Sequence, residues 1–164
     1  MKINKSDMEI TIKISELFFD IKNKSHHEVS SIQDVNQRYV AEAGTENEHE
    51  IYRCIIDAEA LVRLMCGRFL KKSEETHDDN TLPENVPDAY VYTFIDNARR
   101  QDNRGQVITD GMHSAIVSMA LSKFYVSVNQ TELAAQHDAL ATRAVQLLER
   151  MLFEKLPPVP LKWD

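Results

Sequence analysis

Residues 106–128 read QVITDGMHSAIVSMALSKFYVSV, and residues 132–155 read ELAAQHDALATRAVQLLERMLFEK. The first stretch is apolar on most of its helical circumference, at Ile108, Met112, Ile116, Met119, Ala120, Phe124 and Val128. The exception is a stripe of small residues, Gly111, Ser114, Ser118 and Ser122. A helix apolar nearly all round belongs at the centre of a bundle, and small residues at i, i+4 admit a neighbouring helix closely. The second stretch places Leu133, His137, Leu140, Ala144, Leu147 and Met151 on one stripe, with Glu132, Asp138, Arg143, Glu149 and Arg150 pointing elsewhere. Met119 and Leu140 are therefore expected in the core and Glu149 in solvent. Asn129 and Glu132 form a capping-box-like pair at the start of this last helix.

Upstream, Thr45 and Glu48 also have capping-box spacing. The pattern that follows puts Ile51, Ile55, Ala58, Val62, Met65 and Phe69 on one face and predicts a helix over 46–70, with Gly67 a soft spot near its end. Met8 to Ile14 alternates apolar and polar residues, the period of a half-buried strand. Ala89 to Ile95 gathers β-branched and aromatic residues directly after Pro87-Asp88 and reads as a second strand, positioned to pair with the first. Residues 15–21 fit either a continued strand or a short helix, and the polar run Lys22 to Ser31 reads as a loop or hairpin turn. Lys71 to Pro87 and Asp96 to Gly105 read as exposed loops. The expected fold is mainly α: one domain over 1–164, with a bundle of three to four helices (main helices 45–70, 106–128 and 130–155), an N-terminal strand region over 1–31, a small β element from strands near 8–14 and 89–95, and a Pro-rich tail over 156–164.

At 164 residues and 43% hydrophobic, a single domain buries roughly two-thirds of its unfolded surface. The net charge of −7 argues against a surface built to neutralise nucleic-acid phosphates or bind an anionic membrane. No apolar run approaches the roughly 20 residues that span a bilayer. Charges from Lys2 to Lys13 break up any signal peptide, so the expected location is the cytoplasm of the producing cell. Cys54 and Cys66 fall twelve residues apart on one helical pattern, about 18 Å of rise. A disulfide needs Cα atoms within about 7 Å, so two buried thiols are expected.

Candidate sites are few. Glu46 and His49 have the i, i+3 spacing by which di-iron bundles place two ligands on one face, but the only other such pair, Glu74 and His77, falls in a loop. His137, on an apolar stripe, is the histidine expected to be buried, either as a core residue satisfied by one hydrogen bond or as a general base. His113 lies on the small-residue side of the central helix. Arg99, Arg100 and Arg104 form a basic cluster diluted by Asp96 and Asp102, open to a partner or anion contact. Four glycines leave little material for a phosphate loop. No residue is assigned a catalytic, cofactor-binding or metal-ligating role. In the tail, Pro157, Pro158 and Pro160 bias the chain towards extended geometry, while Val159, Leu161 and Trp163 carry apolar surface that is costly to leave in water. The tail is expected to dock, on its own bundle or on a neighbouring copy or partner.

Three stretches resemble head–tail connector (adaptor) proteins of tailed phages. Ile56-Asp57-Ala58-Glu59-Ala60-Leu61-Val62 leading to Gly67-Arg68-Phe69 is similar to a connector helix that ends in a Gly/Arg-aromatic pair. Ala115 to Tyr125 looks like the central helix, and Leu140 to Lys155 followed by Leu156-Pro157-Pro158 like the final helix and its extended exit. The strand Ile10-x-Ile12-x-Ile14 with Phe19-Asp20-Ile21 looks like small proteins among prophage structural genes of gut Bacteroidetes. The long Lys71–Pro87 loop and the N-terminal strand depart from the shortest connectors. The resemblance implies a virion structural protein that assembles with itself or with a portal or tail protein, without catalysis, sequence-specific nucleic-acid binding or membrane attachment. A small helical enzyme or metal-binding domain using His49, His113 or His137, and a helical protein-interaction or regulatory module, are the competing readings.

Overall fold

The order of elements is β1 (Met8–Lys13), α1 (Ile14–Val29), α2 (Val35–Ala41), a short 3-10 turn (Thr45–Asn47), α3 (Glu48–Met65), β2 (Ala89–Phe94), α4 (Arg104–Ser127) and α5 (Thr131–Phe153). It is taken from a computed structural model that describes residues 8–71, 87–95 and 104–153. The fold is mainly α with a small two-stranded antiparallel sheet, as the periodicities predict.

α4 occupies the centre, where α5, α3, α1 and β1 all pack against it. Ile108, Met112, Ala115, Ile116, Val117, Ala120, Leu121, Phe124 and Tyr125 are all buried, which accounts for a helix with no polar face. Of its small-residue stripe, Gly111 and Ser122 meet α5 and Ser118 is buried, whereas Ser114 is exposed. A Cβ added to Gly111 would stand 3.0 Å from Leu148 Cδ2, so glycine there sets the closeness of the two helices. Farther along, Ser122 donates a hydrogen bond to the Ala134 carbonyl at 3.1 Å.

The turn between α4 and α5 depends on Asn129, which adopts a left-handed φ of 59°. The Gln130 amide bonds the Tyr125 carbonyl at 2.8 Å and the Asn129 amide bonds that of Val126 at 3.2 Å. This is the Schellman pattern, in which asparagine tolerates the left-handed position. Asn129 thus ends α4, rather than opening α5 through Glu132.

β1 and β2 pair in antiparallel register with Met8 opposite Phe94 and Lys13 opposite Ala89. Ile10, Ile12, Tyr90, Tyr92 and Phe94 face the core, while Glu9, Thr11 and Lys13 face out. The outer edge of β2 is met by the chain after α3, through Lys71 N–H to Thr93 O at 2.8 Å and Ile95 N–H to Phe69 O at 2.8 Å.

Several expectations are corrected. Residues 14–29 form one helix, which resolves 15–21 as helix and replaces the loop expected from Lys22 onward: Ile14, Leu17, Ile21, Ser25 and Val29 recur every three to four positions and are all buried. The polar run that suggested a turn is the solvent side of that helix. α2 is an added short helix, capped by Asp34, whose carboxylate accepts the Asn36 amide at 2.9 Å and the Gln37 amide at 3.3 Å. The bundle therefore has five helices among the described residues rather than three or four. The Thr45–Glu48 box does not form. Asn47 replaces it, accepting the Gly44 amide at 2.7 Å and donating to the Glu42 carbonyl at 3.1 Å. α3 ends at Met65, not at 70, and turns through Cys66 and Gly67.

The facing of α5 is also corrected. Its buried row is Ala134, His137, Ala141, Val145, Leu148 and Leu152, whereas Leu140 is 48% and Leu147 56% exposed. Close approach to Gly111 and the serines selects the row with the smaller side chains. Met119 is only half-buried, and Glu149 is exposed as expected. Cys66 is buried, Cys54 partly so, and both are free thiols; burial, the larger cause for each, pushes them up to about 11.

Truncation of Leu148 to Ala should cost about 2–5 kcal/mol, and Leu140→Ala no more than about 0.5 kcal/mol. Denaturant unfolding of the two variants measures this, and equal losses would contradict the observed rotation of α5.

Candidate functional site

α1 runs along α4 in the same direction, with Asp20 beside His113 and Glu28 beside Tyr125. This brings Glu28 up to α5. His137 Nε2 lies 2.7 and 2.9 Å from the two Glu28 oxygens, and the Tyr125 hydroxyl donates to Oε2 at 2.7 Å. Burial alone would raise the Glu28 carboxyl, but the hydrogen bond from His137 and then that from Tyr125 override it and hold the group below its ordinary value. Burial first, then the same bond, pushes the Tyr125 phenol up. The His137 ring is 2% exposed, and its Nδ1 is buried without a partner among the described residues. Carboxylate, imidazole and phenol in contact are a set capable of proton transfer. Neither groove described below is lined by them, and their hydrogen bonds tie α1, α4 and α5 together.

A second pair, His113 Nε2 and Asp20 Oδ2 at 2.7 Å, borders a groove of about 520 Å³ that also includes Glu16, Phe19, Thr109 and Asp110. A third polar contact joins α3 to the sheet. Glu59, 5% exposed, accepts from Arg63 Nε at 2.7 Å and from the Tyr92 hydroxyl at 2.9 Å. The Arg63 guanidinium lies over the Tyr92 ring, 4.5 Å from its centroid. A charge buried this deeply persists because each side is paired and hydrogen-bonded.

A further groove lies between α3 and α5, floored by α4. Both outer helices pack on α4 rather than on one another. Their directions agree: Cys54 lies in the field of Lys123, and Cys66 in that of Glu149, so α3 and α5 run alike and opposite to α4. The groove measures about 460 Å³, with Leu61 and Met65 on one wall, Met119 and Lys123 on the floor, and Asp138 and Val145 on the other wall. Leu61 is 37% and Met65 39% exposed, and Leu64 on the adjoining turn is 76% exposed. Lys123 and Asp138 are the charged residues of a lining that mixes apolar side chains with Ser122, Thr142 and Gln146.

The three histidines named from sequence have three different settings. His49 is exposed on the first turn of α3, His113 pairs with Asp20, and His137 is buried against Glu28, the single-hydrogen-bond arrangement expected of a core histidine. Among the described residues no group of three or more His, Cys, Asp or Glu side chains is placed to hold a metal ion, and no helix is long and apolar enough to cross a membrane. Arg99, Arg100 and the tail residues Pro157, Pro158, Val159, Leu161 and Trp163 lie outside the described residues, as does the side chain of Arg104. Sequence reasoning missed Glu28, Glu59 and the groove. The four-residue rhythm from Ile14 to Val29 was the available signal for Glu28. Compared with known proteins, the chain matches no family model, no curated protein and no solved structure.

Because the Glu28 carboxyl is held below 4.5 in the fold, its contribution is present above that value and lost as pH falls through the folded one. Unfolding free energy measured from about pH 6 down to 3 should therefore drop. Glu28→Gln should flatten that acid limb and cost about 1–3 kcal/mol at neutral pH by leaving His137 and Tyr125 poorly paired. An unchanged acid limb would contradict this role.

Proposed function

We propose that this chain is a non-catalytic assembly protein, and that its α3/α4/α5 groove receives the C-terminal segment Leu156–Asp164 of a neighbouring copy. The observation that carries the reading is the exposed apolar wall of Leu61, Leu64 and Met65, beside a groove in which Met119, Ala141 and Val145 of α4 and α5 lie among polar residues. Large side chains left open in a row mark interaction sites more often than scattered ones do. The segment matches the groove in chemistry. Val159, Leu161 and Trp163 offer apolar surface to Leu61, Met65 and Val145, and Lys162 and Asp164 complement Asp138 and Lys123. Prolines lower the entropy lost on docking.

A protein of tailed-phage head–tail connector type, from a prophage, is the specific form that the sequence resemblance implies. Its partners are then further copies and a portal or tail protein, in the cytoplasm during assembly and in the virion afterwards.

Light scattering of the full chain, of the chain lacking Pro157–Asp164 and of Met65→Asp tests this reading. The full chain should assemble, and both variants should fall to smaller species while keeping a cooperative melt. A full chain that is monomeric at tens of micromolar, or a deletion that lowers only the melting point, overturns it. Stoichiometric transition metal in the purified protein would favour a metal-dependent function instead. Portal, terminase or tail genes beside this one are expected, and an operon of metabolic enzymes would contradict the phage assignment.

A further inference from the structure

The two edges of the sheet are treated differently. The β2 edge is covered by residues 69–71, as described above. On the β1 side no strand pairs among the described residues, and Glu9, Thr11 and Lys13 are exposed. The phase of the ladder follows from the Ile14 amide, which bonds the Asp88 carbonyl at 3.1 Å. In the register observed, Met8, Ile10 and Ile12 direct their amides and carbonyls at β2, and Ile14 its amide. Successive residues of a strand alternate, so Glu9, Thr11 and Lys13 direct theirs outward. The free edge therefore offers donor–acceptor pairs at Glu9 and Thr11 and the amide of Lys13, whose carbonyl opens α1.

We propose that β1 pairs antiparallel with β1 of a second copy about a two-fold axis through Thr11, joining the two sheets into one of four strands. In this register Thr11 meets Thr11 of the second copy as a hydrogen-bonded pair. Glu9 meets Lys13, and Lys13 meets Glu9, each joined by the Lys13 amide donating to the Glu9 carbonyl. Ile10 and Ile12 of the two copies face each other on the inner side, so the apolar surface continues across the axis. Charged residues on an edge ordinarily deter pairing. Here the signs are opposite and symmetric about Thr11, so they favour one register and oppose others. An axis through Glu9 sets glutamate against glutamate, and an axis through Lys13 sets lysine against lysine; both are destabilising. A strand that adds to a free edge obtains its affinity from main-chain bonds and its register from the side chains.

This inference deepens the assembly reading by naming a self-association surface, and it involves none of the residues of the groove or tail. Thr11→Cys in the full chain provides a readout that tail-mediated assembly does not move. Hydrogen-bonded antiparallel pairs have Cα atoms about 5.5 Å apart, within disulfide range, while the native thiols, pushed up to about 11, react slowly. Mild oxidation should give a cross-linked dimer with Thr11→Cys and none with Thr93→Cys, which sits on the same face of the covered strand. Adding Glu9→Lys or Lys13→Glu should each reduce the cross-linking at least several-fold. Adding both should restore it, because the charge pairs are then exchanged. Thr11→Pro, which removes only an outward amide, should keep the melting point within a few degrees and abolish dimerisation through this edge. Absence of cross-linking with Thr11→Cys, or failure of the double exchange to rescue, overturns the proposal. If the full chain assembles in a tail-dependent manner while Thr11→Cys never cross-links, the edge pairing fails and the assembly reading stands. If cross-linking occurs but deletion of Pro157–Asp164 changes nothing, the edge stands and the groove reading fails.

Discussion

The close contact between α4 and α5 is the constraint on which the rest depends. α4 carries apolar residues on nearly every face, so its stability requires neighbours on every side. The one face without large side chains fixes which neighbour comes nearest. Gly111, Ser118 and Ser122 leave a shallow channel, and Leu148 fills it at a distance that a single Cβ at Gly111 would violate. Close packing of this kind transmits position. With α5 set low against α4, His137 is carried to Glu28, and the α1 helix is fixed to the same end of the core.

Two contacts between elements are then locked by polar groups rather than by apolar fit alone. Glu28 joins α1 to α4 and α5, and Glu59 joins α3 to β2. Each is a carboxylate taken largely out of water and satisfied by two donors. Buried polar contacts add less to stability than apolar burial of the same volume, but they penalise every arrangement that leaves them unpaired. Tyr125 and Tyr92 take part as donors, and burial first of all keeps both phenols protonated by raising them. These contacts give the bundle a specified arrangement where helices with broad apolar faces would otherwise slide.

What was legible in the sequence follows the strength of local periodicity. The β1 alternation and the β2 aromatic run were read at their observed positions because each is short and unambiguous. α4 was read as central because a helix apolar all round has few other places to go. α1 was not, since its apolar row includes Ser25, and a stretch of Lys, Asn, His and Ser resembles a loop when the period is not followed. Ser25 is buried because it accepts the Ala43 amide at 2.8 Å and donates to the Ala41 carbonyl at 3.3 Å, a contact that no local pattern contains. The face of α5 was misjudged for a related reason. Leu133, Leu140 and Leu147 recur every seven residues and look like a core row. The true core row pairs small residues with Leu148 and Leu152, and only the shape of α4 distinguishes the two. His137, by contrast, lies on the overlap of both rows, so its burial was legible whichever row faced inward.

The open surfaces have the same origin as the tight one. A helix that packs through alanines against glycine and serine sits deep between the flanking side chains of its neighbour, and its own flanks then stand clear. On one flank of α5 this leaves the trough facing Leu61 and Met65. On the other it leaves Leu140 and Leu147 in solvent, since α5 has no extended packing with α1. A larger residue at Gly111 would lift α5 outward and alter both flanks together. The groove is therefore tied to the core: its depth is set by the residues that hold α5 down. Selection for a close α4–α5 contact and selection for an open trough are, in this fold, the same requirement on the same few side chains.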